Sequence, residues 1–195
     1  MKIYQWIGIS LFSFNLIIAE PDESIHIKSV TFSGNKNIKS KFLLNIINLQ
    51  NKTFFTDQSF DRRIVKLDAI SIKNYYLTNG YLDVAVIDSS QISQSSANIY
   101  FRIIEGKQYY LKSINISGNY SLSDEEISSL LNLRINKPFN PVSVQINRNR
   151  LDDRYFELSK LFNNINIEPL VSDSVVINIS IYEGPDIFIN KIYIE

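Results

Sequence analysis

The sequence predicts an α+β fold built in tandem copies, and three observations predict it. The first is an internal repeat. Sliding the chain against itself by 84 positions superposes Lys28-Ser29 on Lys112-Ser113, Ser33-Gly34-Asn35 on Ser117-Gly118-Asn119, Asn48-Leu49 on Asn132-Leu133 and Phe55 on Phe139. In the same register Val30, Phe32, Ile38 and Leu43 meet the apolar Ile114, Ile116, Leu122 and Ile127. Glu105-Gly106 recurs as Glu183-Gly184, and the closing INKIYIE repeats the opening of the module a third time. A period this long marks an array of small domains, because each copy is large enough to enclose a core. The second observation is that parts of each copy alternate apolar and polar residues with period two. The third is that the stretches between them place apolar residues three and four apart. Strand, short helix, long helix, strand, strand is the resulting order.

Residues 1–19 stand apart. Only Lys2 is charged, Ile3 to Ile18 is an apolar run, and Ala19 precedes the polar Glu20, Pro21 and Asp22. This is the pattern of a secretory signal peptide; an uncleaved anchor would run to ~20 apolar residues with fewer polar interruptions. One module is expected over residues 24–106, a second over 107–184 and the start of a third over 185–195.

Each module opens on a strand whose alternating residues are Val30 and Phe32, then Ile114 and Ile116, then Ile192 and Ile194. Gly34-Asn35 and Gly118-Asn119 end the first two, since Gly and Asn tolerate the positive φ of a sharp exit. In the short helix of the second copy Ser123 and Glu126 form a capping box, and Ile127, Leu130 and Leu131 share a face; Leu43, Ile46 and Ile47 hold those places in the first. The first long helix is expected to open near Thr56 or Asp57, with Val65, Ala69, Ile72 and Tyr76 as its apolar stripe. The second has Asn140 as N-cap, Pro141 in its first turn and a stripe of Val144, Leu151, Tyr155 and Leu158. Gly80 ends the first long helix. Ser159-Lys160 follows the second, which implies a turn of different construction.

Two strands close each module. YLDVAVI from Tyr81 is expected to pair with ANIYFRIIE from Ala97 across a Ser-rich connection, and INIE from Ile165 with SVVINISIYE from Ser174 across a short one. Ile99, Phe101 and Ile103, answered by Ile177, Ile179 and Ile181, are uninterrupted by Pro or Gly, so the last strand reads as central. The penultimate strand reads as an edge, because Pro169 sits at its end in the second copy, where an internal strand would lose a ladder hydrogen bond.

This order, with the VTFSGN and INISGN openings, the Y-x-x-x-G-Y of Tyr76, Gly80 and Tyr81, and the Glu-Gly endings, resembles the POTRA (polypeptide-transport-associated) domain over the whole chain after residue 19. The second copy departs at Ser159-Lys160; its LFNNINI is similar to a family variant in which Leu-Phe precedes the strand. The resemblance implies, for each module, a three-stranded mixed sheet with two helices on one face. It also implies the periplasmic part of an outer-membrane protein assembly factor of the BamA type. Such a factor receives unfolded outer-membrane protein precursors, works with accessory assembly lipoproteins and is attached to the outer membrane through a C-terminal barrel outside this sequence. A docking scaffold, such as a division-type or two-partner-secretion POTRA protein, is the alternative. Tandem copies favour the assembly factor.

The residues expected to bind clients are the penultimate strands: Tyr81, Leu82, Asp83, Val84, Ala85, Val86 and Ile87 in the first module, and Ile165, Asn166, Ile167 and Glu168 in the second. An open edge presents unpaired N–H and C=O groups, which pair with an extended chain whatever its side chains.

Composition argues against other chemistries. Twenty Lys plus Arg balance twenty Asp plus Glu, leaving no basic excess for nucleic acid. The absence of cysteine removes disulfides, thiol catalysis and zinc–thiolate sites. His26, the one histidine, has no metal-binding or nucleophilic partner near it in sequence. Asp124, Glu125 and Glu126 complement a helix dipole, and the Gly-Asn pairs lack a phosphate-cradling pattern. Tyr109 and Tyr110 fall at the junction, where packing between modules accounts for them better than a ligand platform. No catalytic constellation, metal site or cofactor is expected.

Overall fold

In a computed structural model, residues 25–50 and 59–188 are described. The expected leader, Phe55, Thr56, Asp57 and the third opening with Ile192 and Ile194 lie outside them. The first half contains β1 (His26–Ser33), α1 (Ser40–Ile46), a 3-10 turn (Asn48–Gln50), α2 (Arg62–Thr78), β2 (Ala85–Ser93) and β3 (Ser96–Ile104). The second contains β4 (Leu111–Ser117), α3 (Asp124–Leu130), α4 (Pro141–Glu157), β5 (Asn164–Val171) and β6 (Val175–Tyr182). The fold is α+β, with two mixed sheets of order β1-β3-β2 and β4-β6-β5. In each, the opening strand runs parallel to the last and the penultimate strand antiparallel to it.

The last strand is central in both sheets, as its apolar pattern requires. Ala97, Ile99, Phe101 and Ile103, and Val175, Ile177, Ile179 and Ile181, are buried beneath the helices. The stripes Val65, Ala69, Ile72, Tyr76 and Val144, Leu151, Tyr155 meet them, with Leu158 partly buried beside the second core. Among the described residues no helix is long and apolar enough to cross a membrane.

Several local expectations are corrected. The first long helix starts at Arg62, not near Thr56 or Asp57. Its N-cap Asp61 accepts the Arg63 N–H at 2.8 Å, as Asn140 accepts that of Ser143 at 2.9 Å. The repeat offset is 84 up to Leu49 and Leu133 but 79 from Asp61 and Asn140 to Ile92 and Val171, so the first copy carries extra residues between Leu49 and Asp61. Phe60, not Phe55, therefore falls opposite Phe139.

Gly34 and Gly118 adopt φ of +82° and +79°, and Asn35 and Asn119 do not share that conformation. The asparagine side chains act instead: their amides donate to Ile38 O at 2.9 Å and Leu122 O at 3.0 Å, tying the turn to the helix that follows. Half of the capping box forms. Ser123 Oγ accepts the Glu126 N–H at 3.2 Å, while the Glu126 carboxylate pairs with Arg154 of α4 at 2.9 Å.

The turn after the second long helix is the same as the first, contrary to expectation. Gly80 N–H donates to Leu77 O and Tyr81 N–H to Tyr76 O, and Ser159 N–H and Lys160 N–H donate to Phe156 O and Tyr155 O in the same way. Ser159 takes φ of +63° where Gly80 takes +84°. Its side chain makes that conformation cost about 1–2 kcal/mol. Gly80 is also bound by space: a Cβ there would lie 2.7 Å from Tyr109 O, so the close approach of the next module excludes one.

Candidate functional site

The expected client-binding residues divide between two environments. Ala85, Val86 and Ile87 lie in β2, and Ile165, Asn166, Ile167 and Glu168 lie in β5. Tyr81, Leu82, Asp83 and Val84 are not strand residues; they form the turn between α2 and β2, which packs at the joint between the modules. Tyr81 and Val84 are buried in the first core, Leu82 packs against the second, and the Asp83 carboxylate accepts the Tyr109 hydroxyl at 2.7 Å. Tyr109 N–H also donates to Gly80 O at 2.8 Å, so it packs between modules as expected, whereas Tyr110 is exposed. Alternation was a poor guide at this point because Tyr81 and Val84 are buried by a turn, not by a pleat. β2 instead runs on through the Ser-rich segment to Ser93, leaving only Gln94 and Ser95 as the turn. β5 likewise extends past Glu168 and includes Pro169.

Ladder geometry decides which backbone groups face outward. Val175 N–H donates to Tyr110 O, and Ile179 O accepts from Ser117 Oγ, so these odd-numbered residues of β6 turn their polar groups toward β4. The even-numbered ones then bond to Asn164, Asn166, Glu168 and Leu170 of β5. Ile165, Ile167, Pro169 and Val171 consequently direct N–H and C=O away from the sheet, and the Pro169 nitrogen sits where no ladder bond is lost. In the first sheet Ile103 O lies against Gly34 at the end of β1. The pairs Ala85–Ile104, Ile87–Arg102, Ser89–Tyr100 and Gln91–Asn98 therefore carry the bonds, and Val86, Asp88, Ser90 and Ile92 face outward.

The opposite edges are already partly paired. Phe60 N–H donates to Ile25 O beside β1, and the loop before α4 covers the start of β4 through Leu111 N–H to Lys137 O and Asn136 N–H to Leu111 O. Beside β5 a groove of about 230 Å³ runs along α4, walled by Phe139, Val144, Arg148, Ile165 and Ile167. The apolar part of its lining, Phe139, Val144, Ile165 and Ile167, suits a side chain of an added strand.

Two buried carboxylates brace the sheet ends, and the sequence marked them only as repeated Glu-Gly pairs. Glu105, 7% exposed, accepts from the Asn37 N–H at 2.9 Å, the Asn37 amide at 2.8 Å and the Tyr76 hydroxyl at 2.9 Å. Glu183 accepts from the Ser121 N–H and hydroxyl at 2.7 and 2.6 Å. Lys160, in the place of Tyr81, lies 3.9 Å from it and 2.6 Å from Asp186.

Burial first, and the hydrogen bond to Glu105 second, push the Tyr76 hydroxyl far above the ordinary tyrosine range; burial and the neighbouring Glu183 charge raise Tyr155 likewise. A raised folded-state pKa stabilises fully below the unfolded value of about 10 and is lost as pH climbs above it. The stability advantage of the parent over Tyr76→Phe is therefore expected to shrink between pH 8 and pH 11 in urea titrations. An unchanged difference would show that the phenol proton is not held by the fold.

Comparison with known proteins places this architecture. The POTRA sequence profile, described as a surface antigen variable number repeat, matches residues 25–106 and again 109–184. The chain is 22% identical over 192 residues to the outer membrane protein assembly factor BamA of Buchnera aphidicola subsp. Acyrthosiphon pisum (strain APS), covering 93% of this chain and 31% of that protein. It is 26% identical over 149 residues to a provisionally named outer membrane protein assembly factor of Treponema pallidum (strain Nichols), covering 73% of this chain and 18% of that one. The chain thus spans about a fifth to a third of the length of these relatives. Among solved structures, the Haemophilus influenzae BamA POTRA domains 3–5 superpose with a TM-score of 0.59 at 25% identity, over 83% of this chain and 66% of that one. BamA from Haemophilus ducreyi lacking POTRA domains 1–3 shares the fold, with a TM-score of 0.57 at 17% identity over 81% of this chain and 29% of that one.

Proposed function

The chain belongs to the POTRA family, and from that premise we propose that it is the periplasmic POTRA region of an outer-membrane protein assembly factor. In this reading it holds unfolded outer-membrane protein precursors by adding their strands to the edge of β2. Residues 1–19 act as the export signal, residues 185–195 begin a third module, and a barrel beyond this sequence joins the array to the outer membrane and its accessory lipoproteins. The role is binding, not catalysis. The names of the similar proteins favour an assembly factor over a docking scaffold.

One observation carries the proposal. Val86, Asp88, Ser90 and Ile92 present their backbone N–H and C=O outward, and among the described residues no side chain occupies those groups. An extended chain can pair with that row whatever its sequence, which suits a factor with many clients. Each bond contributes only about 0.5–1.5 kcal/mol net, and the client loses conformational entropy on ordering, so capture is weak and reversible. Handing a precursor onward requires that weakness.

Proline distinguishes the two faces of the ladder. Val86→Pro removes an outward donor and is expected to leave the module folded while lowering capture of barrel precursors about tenfold. Ala85→Pro removes an inward one, paired with Ile104, and is expected to destabilise the sheet by about 1–3 kcal/mol. Photo-crosslinkers along β2 read out capture. If precursors instead react with probes at Leu67 and Ile70, the exposed apolar residues of α2, clients use the helical face and the edge-strand reading falls.

A further inference from the structure

We propose that the two modules are unequal acceptors, and that Arg148 is a gate on the edge of β5 which must swing to Asp152 before a strand can add there. The inference rests on the strand-addition reading above and extends it to how the second site is controlled.

Arg148 projects from α4 to the edge and donates from Nη2 to Ile165 O at 3.0 Å. Ile165 is the first of the outward-facing residues of β5, so this bond occupies a group that an incoming strand would need. Two positions farther on, Ile167 offers both N–H and C=O. The next outward residue is Pro169, which has no N–H to offer. The β5 row is therefore broken twice: Ile167 stands between a blocked carbonyl and a missing donor, and Val171, the other complete residue, lies beyond the proline at the strand's end. On β2 the equivalent row is complete, and the counterpart of Arg148 at the 79-residue offset is Ala69, which cannot reach the edge.

The blocked arrangement also has somewhere to go. Among the described residues Arg148 Nε is buried without a hydrogen-bond partner, and the Asp152 carboxylate, one helical turn along α4, stands 3.9 Å from it, beyond hydrogen-bond range. Both side chains are about two-fifths exposed, so the guanidinium is free to shift. A short movement off Ile165 O toward Asp152 would give Nε its partner, retain a charge-assisted bond and bare the edge together with the groove beside it. Closed, the guanidinium holds Ile165 O and Nε is unsatisfied; open, it holds Asp152. Natural edge strands are commonly protected by charged side chains, and this one comes with an acceptor that lets the protection be withdrawn.

The test uses the whole chain and a blocked peptide of alternating Thr and Val flanked by Lys, with amide shifts of Val86 and Ile167 reporting the two edges separately. In the parent the peptide is expected to shift Val86 at concentrations about tenfold below those that shift Ile167. Arg148→Ala should raise affinity at Ile167 about tenfold and leave Val86 unchanged. Asp152→Asn should lower it at Ile167 a fewfold, and should have no effect once Arg148 is Ala. That dependence separates a gate from a structural role, since Asp152 is about two-fifths exposed and its loss alone should not disturb the fold. Equal binding at the two edges in the parent, or an Ile167 response indifferent to Arg148→Ala, overturns the gate while strand addition stands. Binding at neither edge in any variant overturns strand addition itself, and the gate with it.

Discussion

A chain carrying Gly34→Ala is expected to lose its first module while the second stays folded, and Gly118→Ala is expected to do the reverse. Two costs combine. At φ of +82° an alanine pays about 1–2 kcal/mol for the left-handed conformation. The larger cost is spatial, because the new Cβ would lie 2.0 Å from Ile103 O, or from Ile181 O in the second copy. Those carbonyls belong to the central strands, whose neighbours are bonded on both sides, so neither can retreat without breaking the ladder to the opening strand. Together the two effects amount to about 4 kcal/mol or more, a large part of the stability of a domain this size. Thermal unfolding followed by circular dichroism should show one of two transitions displaced or missing in each variant. Ser159 supplies the contrast: at φ of +63° a residue with a side chain is accommodated, so the left-handed conformation alone does not unfold a module. If Gly34→Ala unfolds like the parent, β1 must be able to end without the close approach described.

Most of the fold was legible because its signals are local. The central strands announce themselves through Ile99, Phe101, Ile103 and their counterparts, and Asn140-Pro141 marks a helix start by cap chemistry alone. The misplaced start of the first long helix has a physical cause. Asp61 caps as well as Asn140 does, but the inserted residues before it shift the repeat, and a register followed from Leu49 points to the wrong position. The turn at Ser159 was obscured because sequence rules associate left-handed caps with Gly, whereas hydrogen bonds to Tyr155 O and Phe156 O hold Ser there. At the candidate edges, Ala85 to Ile87 and Ile165 to Glu168 were readable as strand. The direction of each N–H was not, since it depends on which neighbour the central strand bonds at each residue. The edge contact of Arg148 and the burial of Glu105 join residues far apart in sequence, and no periodicity reports them.

Replacing Glu105 with Ala is expected to destabilise the first module by about 2–3 kcal/mol and to loosen its joint with the second. The carboxylate is buried and takes three donors from two places: the Asn37 backbone and amide in the turn after β1, and the Tyr76 hydroxyl near the end of α2. Removing it leaves the buried Tyr76 hydroxyl without its acceptor, at a cost of about 1–3 kcal/mol, and releases the exposed Asn37 from the sheet end. Glu105→Gln keeps the shape and part of the accepting capacity, so it should cost about 1–2 kcal/mol, and the difference between the variants measures what the charge contributes. The joint is involved because Glu105 is followed by Gly106, the left-handed linker residue, and because the helix end that Tyr76 anchors carries Gly80, whose carbonyl accepts the Tyr109 N–H. Hydrogen exchange should therefore quicken at the Asn37 and Tyr109 amides together in Glu105→Ala, while the Ser121 amide, held by Glu183 in the second module, keeps its protection. Faster exchange at Asn37 with Tyr109 unchanged would confine the carboxylate to the module interior, and unchanged exchange at both would mean that Glu105 does not lock the sheet end at all.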